Sequence, residues 1–259
     1  MSEDILTERR GRVLWITFNR PQARNAMKFT MYQRLVELCA EINADDELRA
    51  VVLTGAGDKA FVAGTDISEF DVFTEPDDAL GYERKIGGVL EVLEGVRIPL
   101  IAAVRGACTG GGMAIAAACD LRIATPSSRF GYPIARTLGN CLSLAHYARL
   151  VDIIGATAVK EMVYLAKLID ARRAETLGFL NEVLPSEDGL PERAAEIAQT
   201  IAENAPLTIR ATKTALRRIA TEGRTADDRD LILSCYMSND FREGMNAFFE
   251  KRPANWTGH

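Results

Sequence analysis

The sequence predicts an α/β fold in its first half, followed by a tail made of helices. Three observations carry this. Short apolar runs rich in β-branched residues recur before Arg149, at 12–18, 50–53, 99–104 and 121–124. Glycine turns, Gly55-Ala56-Gly57 and Gly110-Gly111-Gly112, follow two of them, as turns follow buried parallel strands. Beyond Arg149 the apolar residues fall almost wholly at helical spacing.

Each element has its own justification. Residues 12–18 (RVLWITF) alternate and carry β-branched and aromatic side chains, so they read as a strand that Asn19-Arg20-Pro21 ends. Met31, Leu35, Leu38 and Ile42 predict a helix over 30–42. The run 50–53 reads as a buried strand. Residues 66–70 begin a helix, with Asp66 near its positive end. A second helix covers 77–93, and 99–104 is another buried strand. Small apolar residues make 113–119 a buried helix, and 121–124 a third core strand. Helical patterns follow at 159–168, 171–177, 190–203, 207–221, 226–237 and 240–251, interrupted only by a strand-like 182–184. No repeat or low-complexity linker is visible.

Composition narrows the function classes. The chain has 259 residues, 47% hydrophobic and 26% charged, which is ordinary globular usage. A net charge of −5 disfavours a nucleic-acid partner, although a helix end can still receive an anion. The five cysteines, at 39, 108, 119, 141 and 235, are odd in number, widely spaced and without a CxxC pair. They read as reduced thiols of a cytoplasmic protein, with no metal site. The N-terminal residues 1–12 contain no apolar segment of a secretion signal, and the uncharged stretch 106–119 is too short to span a bilayer.

Two segments carry the chemistry. Phe61-Val62-Ala63-Gly64-Thr65-Asp66-Ile67 and Arg105-Gly106-Ala107-Cys108-Thr109-Gly110-Gly111-Gly112-Met113 each turn from a strand into a helix start. Free N–H groups at two such turns can aim at one developing oxyanion, and glycine leaves room for the approaching carbonyl. The plainer alternative is that three glycines merely permit tight strand–helix packing.

Taken with Asn19-Arg20-Pro21-Gln22-Ala23-Arg24-Asn25-Ala26-Met27, Val51 to Gly57, Pro99 to Asp120 and Phe241 to Arg252, these segments give the chain a clear likeness. Over nearly its whole length it resembles the crotonase superfamily, the enoyl-CoA hydratase/isomerase family. The resemblance implies a spiral of ββα units over 1–200. It also implies a helical C-terminal region, 201–259, that makes trimer contacts and closes over coenzyme A. It implies a homotrimer or dimer of trimers and an acyl-CoA substrate, with coenzyme A as part of the substrate and no other cofactor. The family's oxyanion-hole amides fall on Thr65 and Gly111. Its coenzyme A contacts fall at Ala23, Arg24, Ala63, Gly64, Asp66 and Ile67. Phe248 and Lys251 fall where the family closes over the coenzyme, commonly from a neighbouring subunit.

The chain departs from the family at two places. Ala114 and Ile134 stand where hydratases carry their two glutamates. Alanine and isoleucine can neither activate water nor protonate a carbon, so standard hydration is not expected. The loop that follows is rebuilt and offers Arg136, Asn140, Cys141, Ser143 and His146. Arg136 can fork onto a substrate anion or pair at the surface. Asn140 can bond a substrate oxygen or simply serve its turn. His146 can be a base or a satisfied helix histidine. Cys141 needs a stabilised thiolate to act as a nucleophile and otherwise is a small hydrophobe. Tyr82, Glu83, Arg84 and Lys85 lie where some relatives bring a side chain over the acyl group, but read more simply as a solvated charged face. The expected function is acyl-CoA processing through an enolate-like intermediate, by a lyase, isomerase or hydrolase with non-standard acid and base groups. The alternative is a catalytically silent acyl-CoA-binding protein. RNA binding, found in some relatives, is disfavoured by the acidic balance.

Overall fold

Each strand–strand–helix unit of this chain delivers one strand to a large sheet, the next to a small sheet, and then a covering helix. The computed structural model describes residues 4–71 and 73–259, so the first three residues of the N-terminal stretch discussed above lie outside the described residues. An antiparallel hairpin opens the chain, β1 (Ile5–Arg10) and β2 (Val13–Phe18), and α1 (Phe29–Ala44) follows. Three units come next. The first is β3 (Ala50–Gly55), β4 (Ala60–Val62) and α2 (Pro76–Glu94). The second is β5 (Leu100–Val104), β6 (Ala107–Thr109) and α3 (Gly111–Ala118). The third is β7 (Leu121–Ala124), β8 (Arg129–Gly131) and α4 (Leu144–Tyr164). Then come β9 (Ile169–Asp170), α5 (Ala171–Thr176), β10 (Glu182–Val183) and α6 (Leu190–Glu203). The tail is α7 (Pro206–Glu222), α8 (Arg229–Tyr236) and α9 (Asn239–Glu250). The strand order is β1-β2-β3-β5-β7-β10 in one sheet and β4-β6-β8-β9 in the other.

The large sheet is buried on both faces, which is why its central strands are continuous apolar runs rather than alternating ones. Val51, Leu53, Leu100, Ala102 and Val104 face one core, with α1, α2 and α3. Val52, Ile101, Ala103 and Ile123 face the other, where Trp15 and the small side chains Ala194 and Ala198 bring α6 in close.

The differences from the sequence reading have local causes. β1 was not anticipated because five of its six residues are exposed, as suits a polar edge strand. β6 and β8 are only three residues long and β9 two, too short for periodicity to register. The helix read over 159–168 is the end of the longer α4, which Gly155 interrupts with a non-helical φ of 76°. Residues 67–70 form only a 3₁₀ turn, capped by the Asp66 carboxylate.

The tail is fastened to the core at defined points. On α7, Lys213 donates to Asp120 Oδ2 at 2.6 Å and to the Ile98 carbonyl at 3.0 Å. At α9, buried Asp240 accepts from Thr257 and Gly258 and folds the chain end back. Between these anchors the helices leave Leu216, Tyr236, Met237, Phe248 and Phe249 exposed, the last two at 79% and 78%. Among the described residues no helix is long and apolar enough to cross a membrane, and no group of three or more His, Cys, Asp or Glu is placed to hold a metal ion.

Candidate active site

β4 and β6 are parallel neighbours, so the two segments singled out in the sequence leave the small sheet side by side. Their glycines set the approach. Gly64 and Gly110 have φ of 119° and 52°, a region costly for residues with a Cβ. A Cβ on Gly112 would lie 2.1 Å from the Val62 carbonyl oxygen, and one on Gly111 would lie 2.2 Å from the Tyr32 hydroxyl and 3.4 Å from Thr65 Oγ1. Tight packing and site formation are therefore the same event here: the N-terminus of α3 is pressed onto the loop after β4.

That contact leaves two amides available. Gly111 is the first residue of α3, where an N–H has no intrahelical acceptor and stands at the positive end of the helix. Around Thr65, Met27 makes a parallel bridge: its N–H donates to the Gly64 carbonyl and its carbonyl accepts from Asp66 N–H. In that pattern the intervening Thr65 N–H points to the opposite side, away from Met27. The Thr65 hydroxyl sits 2.9 Å from both the Tyr32 and Tyr82 hydroxyls, which fixes this loop to α1 and α2. Burial raises both phenols above their usual range, so they stay neutral hydrogen-bonding groups.

Thr65 and Gly111 open into a cavity of about 210 Å³, whose wall includes Ala114, Tyr132, Ile134, Asn140, His146, Tyr82 and Glu83. Ala114 and Ile134 are both buried and give that wall no ionisable group. His146 on α4 is 5% exposed, and its Nε2 lies 2.5 Å from the Tyr132 hydroxyl. Burial, with a smaller contribution from Arg149, pushes His146 down to about 4, so at neutral pH it is an uncharged imidazole paired with a neutral phenol. The Ser143 hydroxyl caps α4 and is committed to the His146 N–H.

The loop after β8 divides its residues. Asn140 is exposed and reaches the cavity wall. Arg136 does not: the loop closes on itself through Gly139 N–H to Ile134 O (2.8 Å) and Thr137 to Pro133, which leaves Arg136 exposed outside the wall. Cys141 lines a second cavity of about 510 Å³ that shares Phe70, Tyr82, Glu83, Leu138 and Asn140 with the first. Phe70, Phe73 and Tyr82 meet edge to face there, with centroids 5.2 Å and 5.0 Å apart. α2 and α4, which both line the first cavity, are tied by the fork of Arg149 onto Glu94.

Tyr82, Glu83 and Tyr132 line this cavity, although the sequence reading favoured a solvated face for the first two and gave Tyr132 no role. Tyr82 and Glu83 are half-buried rather than part of a solvated face. The signal was available: Glu83 lies three residues before Ile86 and seven before Leu90, on the buried stripe of α2.

The residues matched to coenzyme A contacts form two adjoining strips. Ala23 ends a 3₁₀ turn, Arg24 follows it with φ of 50°, and Ala63 N–H donates to the Arg24 carbonyl at 3.1 Å. Gly64 and Ile67 line the cavity, Ile67 being 61% exposed. Asp66 is engaged with Ser68 and, at 2.9 Å, with Arg20; these bonds hold its carboxyl below the usual range. Lys251 caps α9 and is exposed, and Phe248 lines a different cavity of about 370 Å³ with Met245 and Trp256.

The sequence pattern of the enoyl-CoA hydratase/isomerase family matches residues 8–259. The chain is 37% identical over 255 residues to a short-chain-enoyl-CoA hydratase of Clostridium acetobutylicum, covering 96% of this chain and 95% of that one. It is 33% identical to a crotonyl-CoA hydratase of Syntrophomonas wolfei, covering 98% of each. Among solved structures, an enoyl-CoA hydratase/carnithine racemase of Magnetospirillum magneticum superposes with a TM-score of 0.91 at 31% identity, covering 100% of this chain and 97% of that one.

Proposed function

The chain belongs to the enoyl-CoA hydratase/isomerase family of the crotonase superfamily, and on that premise we propose that it processes an acyl-CoA thioester through an enolate-like intermediate. The observation that carries this reading is the placement of Thr65 and Gly111 on adjoining turns at the mouth of one cavity. The thioester carbonyl oxygen accepts from both N–H groups. As electrons move onto that oxygen, both bonds strengthen, with the α3 dipole behind one of them. One such donor contributes roughly 10²–10³ in rate.

Coenzyme A lies along Ala23, Arg24, Ala63, Gly64, Asp66 and Ile67. Phe248 and Lys251 close over it from a neighbouring subunit of a homotrimer or dimer of trimers. The exposed apolar side chains of α8 and α9 support such an assembly, since a monomer in water rarely leaves so many uncovered. No metal and no nucleic acid take part, and the cytoplasm is the expected site of action.

The reaction is of the lyase, isomerase or hydrolase kind rather than standard hydration, because Ala114 and Ile134 supply neither acid nor base. Asn140 and neutral His146 are polar groups that the rebuilt loop brings to the cavity, beside Thr137, whose hydroxyl is bonded to the Pro133 carbonyl. Ala114 and Ile134, by supplying no carboxylate, also favour a second reading, a silent acyl-CoA-binding protein. Calorimetric titration with crotonyl-CoA, followed by mass spectrometry of the thioester in deuterated water, separates these. The proposal expects binding and deuterium uptake without rapid addition of water. Binding with no change in the thioester favours the silent protein, rapid hydration contradicts the non-standard site, and no binding contradicts the whole reading.

A further inference from the structure

The cavity lacks both glutamates of the family's hydratases, yet a carboxylate reaches it from another element. Among the described residues that line either of these two cavities, Glu83 on α2 is the one Asp or Glu. It occupies the apolar stripe of an amphipathic helix, between Ala79 and Ile86, where a hydrophobic side chain would pack at no desolvation cost. Among the described residues it has no ion-pair partner, and neighbouring Lys85 is turned onto the Phe29 ring, 4.6 Å from its centroid. The Ser143 backbone amide, at the start of α4, is the polar group that favours its ionised form.

Its place relative to the two amides is held by its neighbour. The Tyr82 hydroxyl bonds Thr65 Oγ1, so the helical turn bearing Glu83 is fastened to the loop bearing the Thr65 amide. The other ionisable groups lining the cavity that holds Thr65 and Gly111 are poor proton carriers. His146 is pushed down to about 4 and its Nε2 is occupied by Tyr132. Burial holds the Tyr82 and Tyr132 phenols neutral. Burial also raises the Glu83 carboxyl above its usual range, the Ser143 N–H opposing it, and so makes its ionised form a stronger base.

We infer that Glu83 is the proton carrier of this site, exchanging a proton with the acyl carbon next to the thioester carbonyl. The Cα–H bond breaks and the proton goes to a Glu83 carboxylate oxygen. The freed pair forms the enolate C=C bond while the carbonyl π pair moves to the oxygen held by Thr65 and Gly111. Return of the proton to carbon reverses the flow and restores the carboxylate, so no other reactant is consumed. The inference rests on the acyl-CoA reading above.

The test uses butyryl-CoA and phenylacetyl-CoA in deuterated water, with deuterium in the thioester read by mass spectrometry and binding read by calorimetry. The intact protein exchanges the α-protons. Glu83→Gln binds the thioesters within about threefold of the parent but exchanges about 10²–10⁴ times more slowly. Glu83→Ala is equally slow and regains exchange on addition of formate, which a purely structural role would not produce. Parent-like exchange in Glu83→Gln overturns the inference, as does binding of both thioesters by the intact protein with exchange of neither. No binding by the intact protein removes the acyl-CoA reading, and this inference falls with it.

Discussion

The two walls of the cavity are made of different material. The wall carrying Thr65 and Gly111 is backbone, shaped by glycines and fastened by buried hydroxyls. The wall made by residues 132–146 is side chains on a partly exposed loop. The difference separates two chemical tasks. Stabilising an oxyanion needs amides whose directions the fold itself fixes. Moving a proton needs a side chain, and a side chain can differ, as the apolar Ala114 and Ile134 of this wall show, without disturbing the sheet beneath. On the proposed reading, the backbone wall serves the first step and the side-chain wall decides the final reaction.

The contrast can be broken from the backbone side first. In Gly112→Val the new side chain meets Val62 O, which is main chain and cannot swing aside. We expect a loss of about 3 kcal/mol or more in urea denaturation, with acyl-CoA binding lost as well. A change to His146 tests the side-chain wall through pH. Its folded value of about 4 is below the unfolded value near 6.5, so the unfolded chain binds the extra proton first. This contribution is complete above about pH 6.5 and falls as pH drops toward 4, by roughly 3 kcal/mol in all. In His146→Gln, the slope of stability against pH flattens across that window.

Smaller effects sharpen the comparison. Thr65→Val keeps the shape of the loop but leaves the buried Tyr32 hydroxyl without its Thr65 partner. A loss of about 1–3 kcal/mol is expected, and Tyr32→Phe in the same background recovers part of it. Arg136→Ala is the smallest. Its side chain is outside the wall, so stability changes by less than about 0.5 kcal/mol and binding of crotonyl-CoA stays near the parent value. A large loss of binding would place Arg136 in the site after all.

What was legible in the sequence follows the same division. The core strands showed because both their faces are buried, and Gly64 and Gly110 to Gly112 marked the amide-bearing turns because only glycine fits there. β1 was missed because an exposed edge strand has no apolar signature. The directions of Arg136 and His146 were not legible: residue type states what a side chain can do, while the bonds closing 133–139 and the kinked α4 decide where it points. Glu83 was hidden by its charged neighbours, Arg84 and Lys85. Local composition suggested solvent, whereas its helical phase with Ile86 and Leu90 placed it inward.

The most direct test of the backbone wall is the ¹³C resonance of crotonyl-CoA labelled at its carbonyl carbon, free and bound. Two amides aimed at the oxygen draw electrons from the carbon, so the account predicts a downfield shift on binding that shrinks in Thr65→Pro, which lacks that N–H. A bound resonance at the free position would show that Thr65 and Gly111 do not hold the carbonyl, and would contradict the account.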